Sequence, residues 1–406
     1  MSHNLPAKFS FHTQLLICVT LLFLLTVNLY AQNATTDNGV SESKEAQIAL
    51  DQKDYGKAME LYRKAAAAGN GDAMFQIGLL FRSGFGVPQD DAQAIEWFQK
   101  AAAKESDLAM SYLGVMYLKG DGVNRDPAQA AQWLQKAAVL GNGNAMSNIA
   151  TMYLKGDGVP QNYTLAVRWY EQAALKDNSF AMLTLGQLYY GGIGVPQDYH
   201  IALQWLLKAA NYGRAEAMNN IATIYSDGLG VPQNYAESKK WLEKAAENGN
   251  ALAMGNLGIM YLNGWGMPVD YKMAIQWFQK AAAAGDPASM GAIGQIYEKG
   301  IGVPQDYVQA IKWYLQAAQR GDKVAMNNIG VYYDQGFGVV KDEQLAIGWF
   351  HKAADAGSTL AMNNLANKYL KGDGVPKDIS VAISWWKKAA DLGNADAIRL
   401  LKEHGQ

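Results

Sequence analysis

The sequence predicts an all-α protein: a right-handed α/α superhelical solenoid of nine 36-residue helix–turn–helix repeats with atypical terminal caps. Three recurrences carry this expectation. Tryptophan returns as Trp97, Trp133, Trp169, Trp205, Trp241, Trp277, Trp313, Trp349 and Trp385, always at an interval of 36 residues. An Ala-Ala pair keeps the same interval from Ala101-Ala102 to Ala389-Ala390, and a methionine keeps it from Met74 to Met362. No insertion separates the copies, so each is one unit that must stack on its neighbours to bury its apolar faces.

Each copy reads as two helices. In the first, about Asp72 to Ser83, residues Ala73, Met74, Ile77, Gly78 and Phe81 form one apolar helical stripe. A Gly-x-Gly follows in all nine copies, from Gly84-Phe85-Gly86 to Gly372-Asp373-Gly374. It suits a left-handed helix exit and a tight reversal. Val-Pro then extends the chain in six copies. The second helix opens at Asp90, Asp126, Asn162, Asp198, Asn234, Asp270, Asp306, Asp342 or Asp378, all side chains suited to an N-cap. Its stripe is Ala94, Trp97, Phe98, Ala101 and Ala102 in the first copy, and the nine periodic tryptophans are expected in the core. Lysines such as Lys100 sit near its C-terminal end, where the helix dipole favours them. Gly or Ala always occupies the positions of Gly78, Gly114 and Ala150, allowing close approach to the Ala-Ala pair of the partner helix.

Half of the 406 residues are hydrophobic and 18% are charged, a composition for a folded chain. A net charge of −2 with interleaved signs argues against a nucleic-acid partner, and no basic amphipathic helix suits a membrane surface. Residues 1–31 read as a signal peptide: Lys8 and His12 precede an apolar run from Leu15 to Leu29, and Ala31 ends it. The expected mature chain starts near Gln32, is periplasmic or secreted, and has no membrane span. An uncleaved N-terminal anchor facing the periplasm is the alternative. A flexible linker over 32–40, a capping repeat over 41–71, the nine repeats over 72–395 and a capping helix over 396–406 complete the layout, and a monomer is expected. The one cysteine, Cys18, lies in the apolar run, leaving the mature chain without thiol chemistry.

Ala181, Leu185-Gly186, Tyr189, Gly192-Ile193-Gly194-Val195-Pro196 and Asp198, followed by Ala202, Trp205 and Ala209-Ala210, resemble the Sel-one-like repeat. That family is related to tetratricopeptide repeats. The resemblance covers essentially residues 41–404 and implies an adaptor that binds protein or peptide partners, without naming one. An envelope hydrolase or β-lactam-binding enzyme is the rival reading. Cysteine-rich members of the family have been linked to β-lactam binding, and this chain lacks their cysteines.

Catalytic, cofactor and metal residues are expected to be absent. His200 and His351 occupy freely varying positions, and no partner for catalysis or zinc lies near them or His404. Ser41-x-x-Lys44 and Ser384-x-x-Lys387 match a serine β-lactamase element without its companion motifs. Gly-Asp-Gly at 120–122, 156–158 and 372–374 is a turn, since Phe85 or Trp265 fills the same slot elsewhere.

Two features are candidate binding surfaces. Asn148, Asn220, Asn256, Asn328 and Asn364 recur on the first helices, expected to line the concave face. There their amides can either grip an extended peptide or cap neighbouring turns. The apolar Gly-x-Gly tips, Phe85, Trp265 and Phe337 with Ile193, Leu229 and Ile301, form either a partner-binding ridge or a cover for the adjacent repeat. The periodic tryptophans leave a third, lesser option, a sugar-binding platform.

Overall fold

A computed structural model describes residues 38–404; the predicted signal segment and Cys18 lie outside the described residues. Among the described residues there are 21 α-helices and no strands. A leading pair, Val40–Asp51 and Tyr55–Ala67, precedes nine helix pairs, and Ala395–Glu403 ends the array. The described residues divide into two compact units. One runs to Leu188 and includes Gly192–Pro196; the other takes Tyr189–Gly191 and everything from Gln197 onward. Within each, a first helix packs mainly on its own second helix, and that helix packs on the next first helix. This is the nearest-neighbour logic of a solenoid.

Every second helix is capped as the sequence predicts. The Asp90 carboxylate accepts from the Gln93 N–H at 2.9 Å, and the same bond recurs at each equivalent Asp or Asn. The first helices are capped too, which the sequence reading did not see. Asn70, Ser106, Asn142 and Asn178 each accept from the backbone N–H three residues on, and among the first helices of the nine repeats only the one after Arg214 lacks a side-chain cap bond. Each such cap stabilises its helix by about 1 kcal/mol. Gly84 takes φ 68° and returns its N–H to the Leu80 carbonyl, closing the first helix as expected. A Cβ on Gly86, at φ 73°, would meet the Tyr55 Cβ at 2.6 Å, so this loop is pressed against the preceding unit.

The expected core needs one correction. The nine periodic tryptophans are only half-buried. The fully buried large residue is the next one along: Phe98, Leu134, Tyr170, Leu206, Leu242, Phe278, Tyr314, Phe350 or Trp386, each at most 3% exposed. Adjacent helical residues differ by about 100° in direction, so a stripe containing both Trp97 and Phe98 can centre on either. The partner helix decides. A Cβ on Gly78 would lie 2.6 Å from the Phe98 ring, and Gly258, Gly294 and Gly330 meet Phe278, Tyr314 and Phe350 equally closely. The glycine leaves room for an aromatic ring in the centre and displaces the tryptophan to the rim. There its ring is covered by a lysine of the same helix turn: Lys100 over Trp97 and Lys280 over Trp277 at 4.0 Å, with five further pairs at 4.1–4.6 Å. These lysines satisfy the helix C-terminus and the indole face together.

Candidate functional site

The apolar loop tips pack on the preceding unit. Phe85 stacks on Tyr55 and Phe337 on Tyr307 with ring centroids 5.0 Å apart, and Trp265 stacks on Tyr235 at 6.1 Å. In each case the tyrosine is the first residue of the preceding second helix. The pairing extends through the sequence. Wherever that first residue is tyrosine (Tyr55, Tyr163, Tyr199, Tyr235, Tyr271, Tyr307), the following tip is Phe85, Ile193, Leu229, Trp265, Ile301 or Phe337. Where it is Asp91, Pro127 or Glu343, the tip is Asp121, Asp157 or Asp373. Asp121 then pairs with Arg82 at 3.3 Å and Asp157 with Arg125 at 2.6 Å. Matched partners account for the tips as covers between repeats, although Phe85, Trp265 and Phe337 keep 48%, 41% and 38% of their surface exposed.

The asparagines are half-buried and largely engage one another. The Asn256 amide donates to the Asn219 side-chain oxygen at 2.9 Å, and Asn364 donates to Asn327 at 2.9 Å, each bond bridging adjacent repeats. Asn328 is bonded by Asn327 at 3.5 Å. Asn148 and Asn220 are half-buried as well.

Two of these candidates come together. Asn256 and Trp265 line one groove of ≈ 230 Å³ with Ala222, Thr223, Ser226, Asp227, Ser238, Leu242, Ile259 and Met260. It lies between the first helices of the fifth and sixth repeats, Ala215–Asp227 and Ala251–Asn263, over the second helix Tyr235–Glu247. Its cause is a local departure from the repeat. Ser226 stands where the other copies carry Arg82, Leu118, Leu154, Tyr190, Leu262, Glu298, Asp334 and Leu370, all larger. Ser238 replaces an alanine found at that position in every other copy, while Leu242 beneath them is the residue that Leu134 and Leu206 also place there. The short Ser226 side chain leaves space at the first-helix position where every other copy carries a larger residue, and the Ser238 hydroxyl adds a polar group to the wall of that hollow. The Ser226 hydroxyl donates to the Asp227 carboxylate at 2.7 Å. A wider, more open depression of ≈ 470 Å³ beside Val139 and Leu140 holds none of the candidate residues.

The sequence reading also missed a polar departure in repeats seven to nine. The Tyr314 hydroxyl donates to Glu298, and burial first, then that carboxylate, pushes the phenol far above its ordinary range. Tyr332 is raised for the same two reasons. Lys368, 8% exposed, pairs with Asp334, where other repeats carry apolar residues such as Met152 and Leu118. Tyr314 is paired with Glu298 and Lys368 with Asp334, while the buried Tyr332 hydroxyl has no hydrogen-bond partner among the described residues; none of these residues is among those lining the groove beside Trp265.

The Sel1 repeat family model matches residues 50–70, 71–106, 107–142, 143–178, 179–213, 215–250, 251–286, 287–322, 323–358 and 359–394. No curated protein sequence matches the chain significantly. Among solved structures, it is similar to a protective antigen of uropathogenic Escherichia coli displaying an SLR fold. That match has 34% identity and a TM-score of 0.69, covering 93% of this chain and 81% of that one. It is also similar to a Sel1 repeat protein of Oxalobacter formigenes, at 31% identity and TM-score 0.62, covering 77% and 89%. Sel1 repeats generally mediate protein–protein interaction as scaffolds. With ten matched repeats spanning most of its length, the chain belongs to the Sel1 repeat family.

Proposed function

We propose that this chain is an exported, non-catalytic adaptor that binds a protein or peptide segment along its first helices, with the groove between repeats five and six as the anchoring point. The observation that carries this reading is that Ser226 and Ser238, two residues found in no other copy at their positions, line one groove together with Asn256 and Trp265. A pocket with an apolar floor and a few convergent polar groups is the usual form of a side-chain-accepting site. No histidine lines it, so the Ser226 hydroxyl has no base of the kind that activates a nucleophile. We read the protein as a monomer, without nucleic-acid partner or cofactor. Its surroundings are the periplasm or the extracellular space, as residues 1–31 suggest; among the described residues no helix is long and apolar enough to cross a membrane.

Selection of peptides from a random displayed library on the immobilised protein tests the groove. Selected peptides are expected to lose at least tenfold in affinity for Ser226→Leu, which fills the hollow with the residue that four other repeats already carry there. Undiminished binding to that variant would move the site elsewhere. For export, Edman sequencing of protein recovered from the producing cells should begin near Gln32; a chain retaining Met1 would be membrane-anchored instead.

A further inference from the structure

We propose that the groove between repeats five and six takes a lysine or arginine side chain of the bound segment, its stem on the apolar floor and its cation between Asp227 and the Trp265 ring. This rests on the adaptor reading and specifies the class of residue that the groove selects.

The floor is Leu242, Met260 and Ala222, each at most 3% exposed, and Ile259 adds an exposed apolar wall. Asp227 stands exposed on the same groove. An amphipathic cation suits this division, because Lys and Arg lay their methylenes on apolar surface while holding the charge near water. Asp227 is available to it. Its one hydrogen bond among the described residues comes from the neutral Ser226, and it has no ion pair. The lysines of the adjacent second helix are already engaged: Lys239 lies 3.6 Å from Glu243 and 5.3 Å from the Tyr261 ring centroid, and Lys240 lies 3.5 Å from Glu237. Asp227 also helps to raise the phenol of Tyr190, after burial, as an uncompensated negative charge does. Trp265, held by its stack on Tyr235, presents the aromatic surface best suited to a cation. Thr223, Ser226, Ser238 and Asn256 supply oxygen acceptors around the hollow. A glutamate side chain would meet Asp227 with like charge, and a purely apolar one would leave these acceptors unpaired.

The test uses a fluorescein-labelled Ser/Ala peptide with one central lysine, and the same peptide with norleucine in its place, followed by fluorescence anisotropy. The lysine peptide is expected to bind about fivefold more tightly, as an exposed charge pair with a cation–π contact provides, with the preference shrinking at high salt. Asp227→Asn, a residue that Asn263 shows the fold accepts at this position, should erase the preference while leaving norleucine binding unchanged. Ser226→Leu should remove binding of both peptides at an unaltered unfolding midpoint. Equal binding of the two peptides, both lost in Ser226→Leu, would overturn the cation assignment and leave the groove as a docking point. Binding of neither peptide, or binding indifferent to Ser226→Leu, would overturn the cation assignment and the groove together.

Discussion

Phe278→Ala is expected to lower stability by about 3–5 kcal/mol, whereas Trp277→Ala, the larger truncation by volume, should cost only about 2 kcal/mol. Phe278 is 1% exposed, and its ring presses into the space left by Gly258, where a Cβ would come within 2.7 Å. Its loss leaves a cavity within the buried cluster that also holds Ala274, Ala282, Met290 and Ile293. Trp277 lies at the rim under Lys280 and gives up surface already shared with water. Denaturant unfolding of the two variants measures the order directly. A greater loss for Trp277→Ala would return the tryptophan column to the centre of the core. Because a solenoid is held together by nearest-neighbour contacts, the Phe278 change is also expected to broaden the transition as the repeats around it uncouple.

The helix pairs were legible in the sequence because a strict period repeats every local signal nine times. A cap such as Asp126-Pro127 or an exit such as Gly120-Asp121-Gly122 is weak alone and decisive when it recurs. The centre of the core was not legible, because Trp97 and Phe98 share a stripe and the choice between them rests on Gly78 of another helix. The groove was half legible. Ser238 is visible as the one serine in an alanine column, but Ser226 sits in a column that also holds Arg82, Leu118 and Glu298 and reads as free variation. That the space beside Ser226 adjoins Ser238, Leu242 and Asn256 is a juxtaposition across three helices and therefore tertiary. The asparagines show the same limit: their recurrence was plain, yet their bonding to one another, Asn256 to Asn219 and Asn364 to Asn327, belongs to the stacking.

Lys368→Met should destabilise the second unit by ~3 kcal/mol, although methionine is the residue that Met116, Met152 and Met260 place at the equivalent position. The loss arises from what remains. Asp334, its side chain 16% exposed, would keep the 2.9 Å bond from Gln335 but lose the ammonium that compensates its charge. An uncompensated carboxylate in that setting costs far more than the methionine gains by packing. The double variant Asp334→Leu/Lys368→Met rebuilds the pair Leu118 and Met152 of the second and third repeats, in which Met152 is 1% exposed. It is therefore expected to recover to within about 1 kcal/mol of the parent or to exceed it, since apolar replacement of a buried ion pair is commonly neutral or stabilising. The double-mutant cycle isolates the coupling between the two side chains. Because the pair is largely shielded from solvent, the coupling should change little between low and high salt, unlike that of the exposed Lys64 and Glu60 pair. A double variant as unstable as Lys368→Met alone would show that the ion pair contributes net stability where it stands, and that the apolar pair of the earlier repeats is no substitute for it.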